Sequence, residues 1–280
     1  MTELRRLHHP RPGRTPVFSD VRILEVYFFA AVHRLPIGQA CDRRNWPICL
    51  RGRPLPSGTT MSRRMRSPSV RRLLAALDRA LVRTPGGGIV AALDGSAIRI
   101  GPHSTDRHAK FGLAGGVTAK GYRLHLLRRA DGTIADWRLT PLGGPDGCEK
   151  RMAKRMLRAA PSACYVVADG NYDANTIHAE ADAAGVQLVS PKRKGGFGRR
   201  RQRPGRLRSF ALLRAPTGSA TASFGAALMR SRVAIERAFG ALKASSAGLT
   251  DLPPWVRTYP RVLPYVTAKL ILHALRPTVG

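Results

Sequence analysis

Met229-Arg-Ser-Arg-Val-Ala-Ile-Glu-Arg-Ala-Phe-Gly-Ala-Leu-Lys243 is the stretch around which the chain is organised. A helix turns about 100° per residue, which brings Met229 and three charged residues within an arc of about 60°. The charged residues are Arg232, Glu236 and Lys243. A neighbouring apolar stripe, which would pack on a core, consists of Ile235, Phe239 and Leu242. Taken alone, the spacing from Arg232 to Glu236 is equally that of an ordinary surface salt bridge.

Two aspartates directly follow short apolar runs that predict buried strands. The first is Asp94, in Gly88-Ile-Val-Ala-Ala-Leu-Asp-Gly-Ser96. The second is Asp169, in Cys164-Tyr-Val-Val-Ala-Asp-Gly-Asn-Tyr-Asp173. The glycine after each aspartate allows a sharp exit from a strand, where an acid would be exposed for chemistry. Asp-Gly is also a common turn dipeptide, so each aspartate by itself fits a turn as well.

Together, the three acids resemble those of the DDE transposases of bacterial insertion sequences, in the group with the signature Tyr-x2-Arg-x3-Glu-x6-Lys. The spacing Arg232-x3-Glu236-x6-Lys243 fits this signature, and Met229 stands at the tyrosine position. The resemblance runs from about Asp94 to the C-terminus and includes segments similar to the family's second and third strands, at 120–127 and 137–141. It implies an α/β, ribonuclease H-like mixed sheet with flanking helices. In that fold the first two acids lie on adjacent central strands and the third lies on a helix beside them.

The resemblance also implies two-metal cleavage and transfer of DNA strands. Three carboxylates from separate elements can hold two divalent cations about 4 Å apart, because hard cations prefer charged oxygen ligands. We expect Asp94 to bridge the cations, with Asp169 and Glu236 binding one each. Two Mg²⁺ per active site are expected, with Mn²⁺ as a substitute, and Arg232 and Lys243 would contact phosphates. Asp173 competes with Asp169, which is favoured because it follows the strand directly.

The charge balance points to a polyanionic partner. The chain has 48 Lys and Arg against 17 Asp and Glu, a formal net charge of +31. A GC-rich genome would explain the excess of Arg over Lys, but not the scarcity of acids. The expected partner is double-stranded DNA, namely the terminal inverted repeats and the target. A dimer on synapsed ends is implied by the resemblance alone.

The remaining composition excludes several other classes of protein. The four cysteines are far apart and lack the spacing of a zinc site or a disulfide framework, which favours reduced thiols. No apolar run approaches the roughly 20 residues of a membrane span, and the basic N-terminus lacks the apolar core of a signal peptide. We therefore expect a cytoplasmic, nucleoid-associated bacterial protein.

The predicted organisation has three parts. Residues 1–20 form a basic mobile tail, 21–84 a helical DNA-binding module and 88–280 the catalytic domain, with a boundary at Thr84-Pro-Gly-Gly-Gly88. In the module, a short helix ends in three candidate DNA contacts, which are Arg63, Arg64 and Arg66. A helical collar that braces the catalytic domain is the alternative for this module.

The catalytic domain should consist of alternating strands and helices, interrupted by a basic loop at 191–227. Strands are predicted at 89–93, 121–128, 133–139, 164–168 and 186–190, and helices at 148–158 and 175–184 before the Glu236 helix. The loop begins with three candidate DNA contacts, Lys192, Arg193 and Lys194. A disordered charged linker without specific contacts is its alternative.

Three functions fit these features. The first is a transposase that cuts and joins the ends of its own element. The second is a decayed or repurposed DNA-binding protein, which Met229 favours slightly. The third is a ribonuclease H-like nuclease that does not rejoin strands.

Overall fold

The computed structural model describes residues 16–83, 88–101, 103–158, 164–193, 203–244, 248–249 and 252–275. The chain divides into two compact units. The first unit comprises Met1–Val82, His103–Asp106 and Leu242–Gly280, and the second comprises Arg83–Pro102 and Arg107–Ala241. The C-terminal residues therefore belong with the N-terminal helices, whereas the sequence predicted one catalytic domain from 88 to 280.

Helices occur in both units, and the strands lie in the second. The helices are α1 Asp20–His33, α2 Ile37–Ala40, α3 Gly58–Arg64, α4 Pro68–Leu77, α5 Glu149–Arg158, α6 Asn175–Ala183, α7 Pro204–Leu213, α8 Ala220–Ala244 and α9 Tyr259–Ala274. The strands are β1 Val90–Arg99, β2 Lys110–Ala114, β3 Val117–Arg129, β4 Ile134–Pro141, β5 Tyr165–Val167 and β6 Gln187–Val189. Short 3-10 turns occupy Arg43–Asn45, Ile48–Leu50 and Gly170–Tyr172, and a π-helical turn at Asp78–Val82 continues α4.

Serine side chains begin three of the helices in the first unit. Ser19, Ser57 and Ser67 each accept a hydrogen bond from a backbone N–H in the first turn of α1, α3 and α4. Such caps satisfy amide groups that have no partner inside the helix. Ser19 thus caps α1, and Asp20 is the first residue of this helix.

The core of the first unit joins helices from both ends of the chain. The buried residues of α1 include Ile23, Leu24 and Tyr27, and those of α9 include Tyr265 and Leu270. The buried Lys269 of α9 donates a hydrogen bond to the backbone carbonyl of Ala31 in α1, at 2.5 Å. Because both apolar surface and a buried cation depend on this packing, α9 is an integral part of the first unit.

The second unit contains a mixed sheet that has six strands in the described residues. Its main path runs β2-β3-β1-β5-β6, and β4 also pairs with β3. Strands β1 to β4 form antiparallel pairs, whereas β1, β5 and β6 run parallel. One sheet face packs against α5 and α6 through a buried cluster that includes Leu93, Leu127, Met156 and Ile177. The predicted mixed α/β class with flanking helices is confirmed.

The structure differs from the sequence prediction in two further places. Strand β2 was not predicted, because Lys110-Phe-Gly-Leu-Ala114 is short and interrupted by glycine. The segment predicted as a basic loop at 191–227 contains α7 and the first turns of α8. Helix α7 is held by Ser209, whose hydroxyl accepts from the Ser190 N–H at 3.0 Å and donates to the Ser190 carbonyl at 3.1 Å.

Candidate active site

Asp94 and Asp169 follow neighbouring parts of the sheet. In the parallel pair of β1 and β5, Ala92 is opposite Val167. Asp94 follows Ala92 by two residues within β1, Asp169 follows Val167 by two residues just past the end of β5, and the charge of Asp169 acts on Asp94. The sequence placed Asp94 at the end of a strand, but β1 continues to Arg99 in its pairing with β3. Asp94 instead lies where the parallel partner β5 ends.

Asp94 is half-buried and lies near the charges of Asp169, Arg232 and Glu236. Its Oδ1 atom accepts a hydrogen bond from the Gly95 N–H at 2.7 Å. Burial raises the pKa of Asp94, and the charges of Asp169 and Glu236 raise it further, against the lowering effects of the Gly95 N–H and of Arg232. The three predicted acids therefore interact electrostatically although they lie on separate elements.

Asp169 and Asp173 have different surroundings. Asp169 accepts hydrogen bonds from the backbone N–H of Asn171 at 2.9 Å and from its side-chain amide at 3.1 Å. Asp173 is buried and accepts two hydrogen bonds from the guanidinium of Arg206, at 2.6 and 2.7 Å, and one from the Arg193 N–H at 2.9 Å. Burial alone would raise the pKa of Asp173, but these bonds leave it lowered. Asp173 thus stabilises α7, and Asp169 is the carboxylate beside Asp94.

Glu236 lies on α8 and is exposed. Its carboxylate forms an ion pair with Arg232, one turn earlier on the same helix. Lys243 is in the last turn of α8, and Met229 is half-buried in its middle. The predicted helical face is therefore present, and Arg232 neutralises part of the charge of Glu236.

These acids offer the oxygen ligands that divalent cations such as Mg²⁺ prefer. Burial is the main cause of the raised pKa of Asp94, and the charges of Asp169 and Glu236, which a cation would neutralise, add to it. In the described part of the chain, no three His, Cys, Asp or Glu side chains are already close enough to hold a metal ion. Glu236 would have to turn from Arg232 to join the two aspartates.

The candidate DNA contacts lie in different environments. Arg63, Arg66, Lys192 and Arg193 are exposed. Arg64 instead forms an ion pair with Asp20 and donates a hydrogen bond to the Phe18 carbonyl at 2.8 Å. Its side chain therefore stabilises the start of α1. Lys194 lies outside the described residues, as does most of the predicted tail at 1–20.

Tyr172 was not singled out from the sequence. Its ring is buried, and its hydroxyl has no hydrogen-bond partner in the part of the chain that the structure describes. Burial raises the pKa of Tyr172, and the charges of Asp94 and Asp169 add to this effect, which places the phenol near both acids. The only sequence signal was its position three residues after Asp169.

Comparison with known proteins identifies the family of the chain and a similar fold. The family model described as the transposase DDE domain matches residues 85–253, more than half of the chain. The fold is similar to that of a piggyBac transposase, solved by cryo-EM as a synaptic complex with hairpin DNA. The TM-score is 0.53 at 8% identity, covering 96% of this chain and 68% of the other.

No curated protein matches the chain in sequence. Within the described ranges, no helix combines the length and the hydropathy that a membrane span requires. The extent of the family match is decisive, and the chain belongs to the transposase DDE domain family.

Proposed function

We propose that the protein is a DNA transposase that binds the ends of its own insertion sequence and catalyses metal-dependent strand cleavage and strand transfer. Family membership supports an enzyme that acts on DNA. The observation that supports the more specific proposal is the parallel pairing of β1 with β5, because Asp94 and Asp169 each follow the paired Ala92 and Val167 by two residues. The effect of Glu236 on the pKa of Asp94 adds the third acid to this group.

Each acid has a distinct role in this proposal. Asp94 would bridge two Mg²⁺ ions, and Asp169 and Glu236 would bind one ion each, with Mn²⁺ able to substitute. Bound cations supply activation of the attacking water or 3′-hydroxyl and stabilisation of the leaving 3′-oxygen. Arg232, which is ion-paired with Glu236 in the structure, and Lys243 would contact phosphates.

The proposed partners are the terminal inverted repeats and the target DNA. The net charge of +31 supports a polyanionic partner, and the similar piggyBac transposase was solved with DNA. The exposed Arg63, Arg66, Lys192 and Arg193 are proposed phosphate contacts. Two ends must be held together for transposition, so the active assembly is proposed to be a dimer on DNA.

A repurposed DNA-binding protein is the second candidate. The ion pair between Arg232 and Glu236 occupies the third acid, and Met229 lacks the hydroxyl of the family's tyrosine. Both features would be tolerated in a protein that binds DNA without cutting it.

The test is a cleavage assay with labelled DNA that carries the flanks of the gene, in Mg²⁺ and then in Mn²⁺. We expect cleavage at a defined position near each flank. Asp94→Asn, Asp169→Asn and Glu236→Gln should each lower the rate about a hundredfold or more, since metal ions supply several kcal/mol to such reactions. Binding should stay near normal in all three variants.

Asp146→Asn is the matched control, because it makes the same change in a largely exposed acid whose side chain is 81% accessible. Its cleavage rate should equal that of the wild type. Binding without cleavage in either metal would support the repurposed protein. Loss of binding in all three acid variants would show that the acids are structural.

A further inference from the structure

Helix α5 carries a dense group of cations on one side. Five of its ten residues are basic, namely Lys150, Arg151, Lys154, Arg155 and Arg158. At 100° per residue, these cations span an arc of about 140°. The buried residues of α5 lie on the opposite side and are Met152, Ala153, Met156 and Leu157. The cations therefore form an outer face of α5, which is directed away from the sheet.

The acids near this outer face are already paired. The three acids of α5 and α6 each form an ion pair with an arginine, in the pairs Glu149 with Arg123, Glu180 with Arg158, and Asp182 with Arg208. Arg151 lies 3.5 Å from Asp146, in a pair whose side chains are both largely exposed. Within the described residues, Lys150 and Arg155 form no ion pair. The outer face therefore has surplus positive charge.

The composition of the outer face selects the backbone of a DNA duplex as its partner. The centre of a protein interface is normally apolar or aromatic, but the apolar side chains of α5 are all buried on its other side. Single-stranded DNA is bound largely by aromatic side chains that stack on bases, and α5 contains none. Contact with the phosphates of a duplex requires cations alone and does not read sequence.

The sheet separates the outer face of α5 from Asp94. Helix α5 packs on the sheet face to which Leu93 belongs. Strand β1 pairs with β3 in regular register from Ala91 to Arg99, so the side chain of Asp94 lies on the other face. The persistence length of DNA is about 150 bp, which makes it costly for one duplex to turn around the sheet. DNA at α5 and DNA at Asp94 are therefore separate duplexes.

We propose that the outer face of α5 binds a second DNA duplex, of any sequence, through its phosphate backbone. The inference rests on the proposed function, because it takes the duplex at Asp94 as the first. Lys150 and Arg155 make the principal phosphate contacts, since no ion pair balances their charges. Transposition brings two DNA segments together, and this face holds one segment while the acids act on the other.

The test loads the full-length protein with unlabelled DNA that carries the flanks of the gene and then adds a fluorescent duplex of random sequence. Fluorescence anisotropy at several salt concentrations gives the Kd for the second duplex. We expect the double variant Lys150→Gln with Arg155→Gln to raise this Kd about tenfold. The slope of log Kd against log salt should fall by about two, because two phosphate contacts are lost. The Kd for the flank DNA should stay within about twofold.

Two further double variants serve as controls. Lys150→Arg with Arg155→Lys keeps both charges and should retain binding of the second duplex. Arg203→Gln with Arg214→Gln removes the same net charge from exposed residues at the two ends of α7 and should retain it as well. The far-UV circular dichroism of all variants should match that of the wild type, because none of these changes removes a buried side chain.

Other results would overturn the inference in distinguishable ways. If the loaded wild type binds no second duplex, or the α5 glutamine variant binds it as tightly as the wild type, the inference fails and the proposed function stands. Equal weakening by the α7 control would assign the effect to net charge. Displacement of the labelled duplex by polyglutamate as effectively as by unlabelled duplex would indicate an acidic protein partner. If the wild type binds flank DNA no more tightly than random DNA, the proposed recognition of its own ends fails, and the inference fails with it.

Discussion

Asp169 and Asp173 show how surroundings separate two acids that the sequence ranked only by their positions after a strand. Both lie in the second unit near the end of β5, but Asp173 has a buried guanidinium partner, whereas Asp169 accepts hydrogen bonds from Asn171. The sequence indicated Asp94 and Asp169 because each follows an apolar run. It could not show that Arg206, 33 residues after Asp173, is the partner that removes this acid from the candidate site.

In buffer without divalent cations, Asp94→Asn should increase the free energy of unfolding at neutral pH. Burial and the charges of Asp169 and Glu236 raise the pKa of Asp94, so the ionised carboxylate destabilises the folded state relative to the unfolded state. The difference between variant and wild type should narrow as the pH falls through this raised pKa, since Asp94 then becomes neutral. Thermal melts at several pH values, with chelator present, would measure this difference in the free energy of unfolding. A variant less stable than the wild type at neutral pH would contradict the pKa direction.

Asp173→Ala should be far more destabilising than Asp169→Ala. Removing Asp173 leaves the buried Arg206 without its two charge-assisted hydrogen bonds, which costs about 3–5 kcal/mol. Asp169 makes local hydrogen bonds to Asn171, so its loss should cost about 1 kcal/mol. Urea denaturation of both variants checks this order. Equal losses would mean that Asp169 has a structural role comparable to that of Asp173.

At the scale of elements, apolar runs predicted the central strands and the helical pattern predicted α8. The sequence missed β2 and α7 because both depend on contacts distant in the chain. Strand β2 requires the Leu142 backbone beside Gly112, and α7 requires Ser190 and Asp173 as partners. In both segments, glycines and cations conceal the apolar periodicity on which the prediction relied.

Helix α8 provides a prediction about DNA binding. Arg232→Ala should lower the slope of log Kd against log salt by about one, because one phosphate contact is lost. The free energy of unfolding should change by less than about 0.5 kcal/mol, since the ion pair with Glu236 is a partly exposed i,i+4 pair. Glu236→Gln is the matched control, because it breaks the same pair but keeps the cation. Equal salt slopes for Arg232→Ala and the wild type would remove Arg232 from the phosphate contacts.

At the scale of the whole molecule, the sequence predicted a boundary at Thr84–Gly88, and the chain passes from the first unit to the second between Val82 and Arg83. Composition gives no sign that the chain returns to its first unit after Ala241. The reason is physical: the apolar pattern of α9 shows that the helix is buried without showing against which partner. The structure supplies that partner, because Lys269 of α9 bonds to Ala31 of α1. The sequence therefore predicts whether each unit is helical or α/β better than it predicts which helices and strands belong to each unit.

The assignment of α9 to the first unit predicts the outcome of two truncations. A fragment of residues 85–280 retains α9 but loses α1 to α4, so the buried face of α9 becomes exposed. That face includes Val262, Tyr265, Val266, Leu270 and Ile271. We expect this fragment to bind a hydrophobic dye and to aggregate, because contiguous exposed apolar surface favours association.

A fragment of residues 83–241 omits α9 and should remain soluble with the α/β circular dichroism of the second unit. Size-exclusion chromatography and dye binding distinguish the two fragments. If the 85–280 fragment is monomeric and melts as cooperatively as the full chain, α9 does not depend on the N-terminal helices.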